Sequence, residues 1–140
     1  MNQSRGGDTV GQTVRSEHRR LDELFVEVIA VFAPPGAAEE MRDAFAALSE
    51  ALDLHFEQED RLYYASIAAL RPDLKPEILA ISEAHRGFRL ALAAIGDQLE
   101  RGSLAAARRS FAAMTRAFQH HEALEERLLH RVEEAAGMGP

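Results

Sequence analysis

The sequence predicts an all-α protein, an up-down-up-down antiparallel four-helix bundle, and three observations carry that expectation. Ala, Leu, Glu and Arg, all strong helix formers, dominate the chain, whereas Val and Ile are sparse, Tyr occurs twice and Trp is absent. Helix-breaking Pro and Gly cluster at three places: Pro34-Pro35-Gly36, Arg71-Pro72-Asp73 through Pro76, and Gly102-Ser103. Between these breaks, apolar residues recur at alternating spacings of three and four, the period of one helix face.

Each helix follows from its own residues. The first is expected over about 9–33, with Asp8 or Thr9 to cap it and a stripe of Val14, His18, Leu21, Phe25, Val28 and Phe32. The second, over about 37–70, carries Met41, Phe45, Leu48, Leu52, His55, Glu59 and Leu62. The third, over about 76–101, carries Ile78, Ile81, His85, Phe88, Leu92, Ile95 and Leu99. The fourth, over about 103–135, starts on Ser103 as N-cap and carries Leu104, Ala107, Phe111, Met114, Phe118, His121, Glu125, Leu128 and Val132. Short connections between long helices make neighbours antiparallel. One domain over 9–135 is expected between flexible ends at 1–8 and 136–140.

Composition narrows the function. A chain of 140 residues can bury a core without covalent staples. The absence of cysteine rules out disulfides, thiolate-bound zinc, iron–sulfur clusters and cysteine nucleophiles. No apolar run approaches the roughly 20 residues of a membrane span, and the polar, Gly-rich start lacks the apolar stretch of a signal peptide. A cytoplasmic location with no membrane partner is expected. The net charge of −7 argues against nucleic acid as a partner.

The informative residues are those that interrupt the stripes. His18, His55, Glu59, His85, His121 and Glu125 stand where a bundle wants Leu or Phe. An unpartnered buried carboxylate costs several kcal/mol, by rough reckoning, so six such positions must satisfy one another. They also match in depth: Glu59 lies about 13 residues before Pro72, and His85 about 13 after it. Taken singly, a core histidine is more often a hydrogen-bonded packing residue than a ligand. Together, with two glutamates at the same height, these residues point to a metal. His-x-x-x-Glu falls on the core stripe at His55–Glu59 and His121–Glu125, and residues four apart share a helix face. Four imidazoles and two bridging carboxylates serve two metal ions and leave positions for an oxo or hydroxo bridge and one exogenous ligand. Such mixed N/O ligation suits non-haem iron, with manganese or zinc as substitutes.

A lone His on the first helix, H-x-x-x-E on the second, His on the third and H-x-x-x-E on the fourth resembles the hemerythrin-like (HHE cation-binding) family, over about residues 10–135. The resemblance implies that His18, His55, His85 and His121 are terminal iron ligands and Glu59 and Glu125 bridging carboxylates. Oxygen-carrying hemerythrins have a second His on the third helix, four residues from the first. Here those positions are Ile81 and Arg89, so the chain resembles the four-His, two-carboxylate subgroup, which includes proteins linked to nitric oxide, peroxide and iron-centre repair. The repair proteins usually carry an added cysteine-containing segment, and this chain has no cysteine. A ferritin-like reading needs Glu-x-x-His, and no His here has Glu three positions before it.

Other polar residues have plainer readings. His120 and His130 fall off the stripe, and Glu57, Asp60, Glu122 and Glu126 belong to solvated faces. Asp22 could accept the second imidazole N–H of His18, or simply lie at the surface. Tyr63 could donate a hydrogen bond near the centre, or be a half-buried aromatic. Arg89 or Arg116 could neutralise the glutamates in a metal-free ion network. The expected function is a di-iron protein that binds or reduces O2, NO or peroxide; as an enzyme it would be an oxidoreductase acting on NO or peroxide, with an electron-donor protein as partner. The alternatives are a non-catalytic sensor, store or donor of iron, and a metal-free interaction bundle.

Overall fold

The computed structural model describes residues 6–137, and the side chains of residues 10–134. The Asp8 and Thr9 side chains and the ends 1–5 and 138–140 lie outside the described residues. Helix α1 (Gly6–Phe32) leads to α2 (Ala38–Gln58), which continues through a π-helical turn (Glu59–Tyr63) into α3 (Tyr64–Leu70). A 3-10 turn (Pro72–Leu74) then leads to α4 (Lys75–Glu100), followed by α5 (Leu104–Gly137). The π turn makes α2 and α3 one long rod. With that rod counted once, the described residues form four rods in a ring, α1 against α2, α2 against α4, α4 against α5 and α5 against α1. The connections are a few residues long, so each rod runs antiparallel to the next. No helix among the described residues is long and apolar enough to cross a membrane.

The turns follow from the residues in them. Gly102 adopts φ 75°, and its N–H reaches Leu99 O at 3.1 Å while Ser103 N–H reaches Gln98 O at 2.8 Å. This left-handed cap occupies the last free carbonyls of α4 and is open to glycine at no steric cost. Ser103 O accepts the Ala107 N–H at 3.0 Å and so starts α5. At the first turn, a Cβ on Gly36 would lie 2.2 Å from the Val31 carbonyl oxygen, which no side chain tolerates.

The core divides into two apolar clusters. Leu21, Phe25, Val28 and Phe32 of α1 pack with Met41 to Phe56 of α2, Phe88 to Leu99 of α4 and Ala107 to Phe118 of α5, on the side of the α1–α2 and α4–α5 turns. Val14, Tyr64, Ile67, Leu74, Ile78, Ile81, Leu128, Leu129 and Val132 form the second cluster at the α3–α4 turn. The stripes of α1 and α4 are buried throughout as expected, and that of α5 is buried except for the half-buried Leu104. The stripe of the second rod fails at one position. Leu62, expected inside, is 53% exposed, while Tyr64 and Ile67 are buried. The π turn inserts one residue into the helical register, so the inward face passes from Glu59 to Tyr64 instead of to Leu62 or Tyr63.

Candidate metal centre

Between the two apolar clusters lies a layer of buried polar side chains. His18 comes from α1, His55 from the last turn of α2, Glu59 from the first position of the π turn, His85 from α4, and His121 and Glu125 from α5. All six are buried, Glu59 fully and Glu125 to 2% exposure. They form two groups, His18, His55, Glu59 and Glu125, and Glu59, His85, His121 and Glu125, each offering ligand atoms within 4.8 Å of one another. The two carboxylates belong to both groups.

The distances show how the carboxylates divide the imidazoles. Glu59 meets His55 Nε2 through Oε2 and His85 Nε2 through Oε1, both at 3.0 Å. Glu125 meets His18 Nε2 through Oε1 at 2.9 Å and His121 Nε2 through Oε2 at 3.6 Å. Most of these approaches do not make hydrogen bonds. His18 Nε2, His55 Nε2, His121 Nε2, Glu59 Oε2 and Glu125 Oε1 are buried without a hydrogen-bond partner. Orphaned buried donors and acceptors are rare and costly, and five gathered in one layer form the lining that bound cations would complete. The donor set, imidazole nitrogen and carboxylate oxygen without sulfur, fits a first-row transition metal.

Around this layer lie further polar groups. His55 Nδ1 donates to Glu17 Oε1 at 2.7 Å, and Tyr63 Oη donates to Glu17 Oε2 at 3.1 Å. His85 Nδ1 lies 3.0 Å from Asp60 Oδ1 and 3.1 Å from Oδ2, and Ser82 Oγ donates to Asp60 Oδ1 at 2.6 Å. Tyr64 donates its single hydroxyl hydrogen among Glu59 Oε1, at 3.1 Å, and Glu125 Oε2, and its oxygen lies 3.3 Å from His85 Nε2. Phe56 stacks on the His85 ring at 4.3 Å between centroids, and Phe88 and Phe118 lie 5.2 and 6.2 Å from the His121 ring.

The electrostatics follow from this crowding. Burial disfavours the His18 cation, but Glu125 and Glu59 outweigh it and raise the imidazole to about 10. Burial likewise opposes the His55 cation, and Glu17 and Glu59 overcome it, giving about 9. Burial pulls the other way for Glu59 too, yet His18, His55 and His85 hold it ionised well below the usual carboxylate range. Glu125 is pushed up by burial and by the charge of Glu59. Burial, with His85, His18 and His55 nearby, lowers His121 to about 4. Burial and the Glu125 and Glu59 charges raise the Tyr64 phenol far above its ordinary value. The surrounding carboxylates thus favour positive charge at His18 and His55, where a cation would compete with protons for the imidazoles.

His120 and His130 are exposed. Arg116 is exposed, and Arg89 pairs with Asp53 at 2.9 Å and lies over the Phe56 ring, so neither arginine neutralises the glutamates. Asp22 is exposed and interacts with Glu122, with no bond to His18 among the described residues. Glu122, read as a solvated residue, is half-buried, and burial raises its carboxyl to about 8. Tyr63 is half-buried and also a donor near the centre, acting through Glu17. The residues that sequence reasoning missed are Tyr64, Glu17 and Asp60. Only Tyr64 left a signal, the apolar spacing of three from Tyr64 to Ile67 out of phase with Leu52, His55 and Glu59.

A four-rod bundle with imidazoles from every rod and carboxylates from two defines a metal-binding helical protein of the HHE kind. The family model for the hemerythrin HHE cation binding domain matches residues 9–132, and the chain belongs to that family. Neither the comparison with curated proteins nor that with solved structures gave a match.

Proposed function

We propose that His18, His55, Glu59, His85, His121 and Glu125 hold two iron ions, and that the protein binds or reduces a small oxidant, O2, nitric oxide or peroxide, at that centre. The observation that carries this reading is the pair of four-residue groups sharing Glu59 and Glu125. Each carboxylate turns one oxygen to each group, the arrangement a bridging ligand requires. Iron bound there would supply reversible ligand binding and electron transfer toward small oxidants. The chain's own residues do the rest. His55 and His85 present Nε2 inward because Nδ1 is occupied. Phe56, Phe88 and Phe118 keep water from the His85 and His121 rings. Tyr64 Oη holds a proton within reach of both carboxylates. Ile81 and Arg89 stand where oxygen carriers of the family have a second histidine, which favours nitric oxide or peroxide over oxygen carriage.

The test begins with elemental analysis and an absorption spectrum of protein produced with added iron. Two irons per chain with near-ultraviolet charge-transfer absorption are expected, and His121→Leu and Glu125→Leu should abolish both. The ferrous protein is then exposed anaerobically to nitric oxide, peroxide and O2 in turn. Turnover of nitric oxide or peroxide makes the protein an oxidoreductase, and reversible binding alone makes it a carrier or sensor. A folded chain that takes up no iron sinks the proposal.

A further inference from the structure

The four imidazoles are not held alike. We infer, resting on the di-iron reading above, that Glu17 with Tyr63 and Asp60 with Ser82 are positioning residues that fix one ligand histidine in each half of the centre. In the half formed with His18, His55 Nδ1 is bound by Glu17, which is itself bound by Tyr63 Oη. In the half formed with His121, His85 Nδ1 is bound by Asp60, which is itself bound by Ser82 Oγ. The two arrangements have the same order, imidazole, carboxylate, hydroxyl, although their residues come from different rods. No carboxylate binds Nδ1 of His18 or His121 among the described residues.

The consequence is a division within the centre. Both anchored histidines lie 3.0 Å from Glu59, one on each oxygen, and both unanchored ones meet Glu125, with His18 also 3.9 Å from Glu59 Oε2. Each metal position thus has one imidazole anchored at Nδ1 by a carboxylate and one with no carboxylate there among the described residues. A carboxylate on Nδ1–H fixes which nitrogen carries the proton, aims the other lone pair at the metal and makes it a stronger donor. The π turn supplies the second anchor, because Asp60 lies inside it, directly after the inward-facing Glu59.

Two kinds of variant separate position from charge. Glu17→Ala and Asp60→Ala remove the acceptor, and we expect iron retention against a chelator to weaken about 10–100-fold. Glu17→Gln and Asp60→Asn keep a carbonyl acceptor and lose the negative charge. They should retain two irons while the ferric–ferrous midpoint potential rises, because the ferric state loses more from a weaker imidazole donor. Glu57→Gln, at an exposed carboxylate on the same rod, serves as control and should change neither reading. If the alanine variants do not fold, Tyr63→Phe and Ser82→Ala take their place, with faster iron loss expected. Unchanged iron retention in the first set, or an unchanged potential in the second, overturns the inference. An unmodified chain that binds no iron would instead overturn the di-iron reading beneath it.

Discussion

The two apolar clusters that flank the polar layer are built from different chemistry. All seven phenylalanines of the chain lie in the cluster toward the α1–α2 and α4–α5 turns, while both tyrosines and mainly aliphatic residues lie in or against the other. Phenylalanine asks nothing of its surroundings but contact, so the helical segments that carry it are regular α-helix and seal the centre with stacked rings such as Phe25 on Phe118 at 5.1 Å. Tyrosine brings a hydroxyl that must be satisfied when buried. Tyr64 satisfies it on Glu59 and Glu125, and the backbone accommodates that with a π turn. One side of the centre is therefore dry and regular, and the other is polar and locally distorted.

The largest expected difference between the sides is in packing energy. Phe118 is 1% exposed and lies among the rings of Phe25, Phe56 and Phe88. Phe118→Ala should cost about 3–5 kcal/mol, and Ile67→Ala in the smaller cluster about 2–5 kcal/mol. Denaturant unfolding of the metal-free protein measures both, and a Phe118→Ala cost no larger than that of Ile67→Ala would remove the contrast. Tyr64→Phe comes next. It removes the donor from two buried carboxylate oxygens with almost no change of volume, and should cost about 1–3 kcal/mol in the same assay. A neutral Tyr64→Phe would mean that the hydroxyl, and with it the distinct character of this side, contributes nothing to folding.

The same contrast governs what could be read from sequence. Along α1 and α4 the period of three and four is unbroken, and it located every buried residue of α4 and every one of α1 with a described side chain except Gly11, while in α2 it passed over the buried Phe56. The six polar residues of the centre were legible because each interrupts that period at a position whose register was secure. Beyond Glu59 the assumption of a regular helix put Leu62 inside and left Tyr64 unexamined. A one-residue insertion in a helix leaves no composition signal, since Asp60, Arg61, Leu62 and Tyr63 suit either form. Glu17 and Asp60 were hidden for another reason: a carboxylate beside a stripe looks solvated until the neighbouring rod, carrying His55 or His85, is placed against it.

Deleting Leu62 tests the insertion directly. In the π turn, Glu59 and Tyr64 face inward five residues apart, and without Leu62 they would stand four apart in a regular α-helix, again on one face. The deletion should therefore be tolerated, with a loss of less than about 1 kcal/mol, since Leu62 itself is 53% exposed. Inserting an alanine after Leu62 should instead turn Ile67 away from the core and unfold α3. If the deletion is the more damaging of the two, the π turn is no simple insertion and the register argument fails.

The smallest effect lies at the open end of the tyrosine side. There Arg15 of α1 binds Glu133 of α5 through Nη1 at 2.5 Å and Nη2 at 2.9 Å, and Glu126 through Nε at 3.1 Å. Gly11 leaves room for this pairing, since a Cβ there would lie 2.8 Å from Glu133 Oε2. The Arg15 guanidinium holds the Glu133 carboxyl below its ordinary value of 4.5. A carboxyl depressed in the folded state contributes stability that is complete above its unfolded value and is lost as pH falls through the folded one. Both side chains are more than a quarter exposed, so the contribution is less than about 1 kcal/mol. Glu133→Gln should lower the denaturant midpoint slightly at neutral pH, and the gap to the unmodified protein should close below the carboxylate range. No such pairing spans α1 and α5 at the phenylalanine end among the described residues, so an acid-dependent gap of this kind would belong to one end of the bundle alone. A gap that persisted at low pH would mean that Glu133 acts by packing rather than by charge.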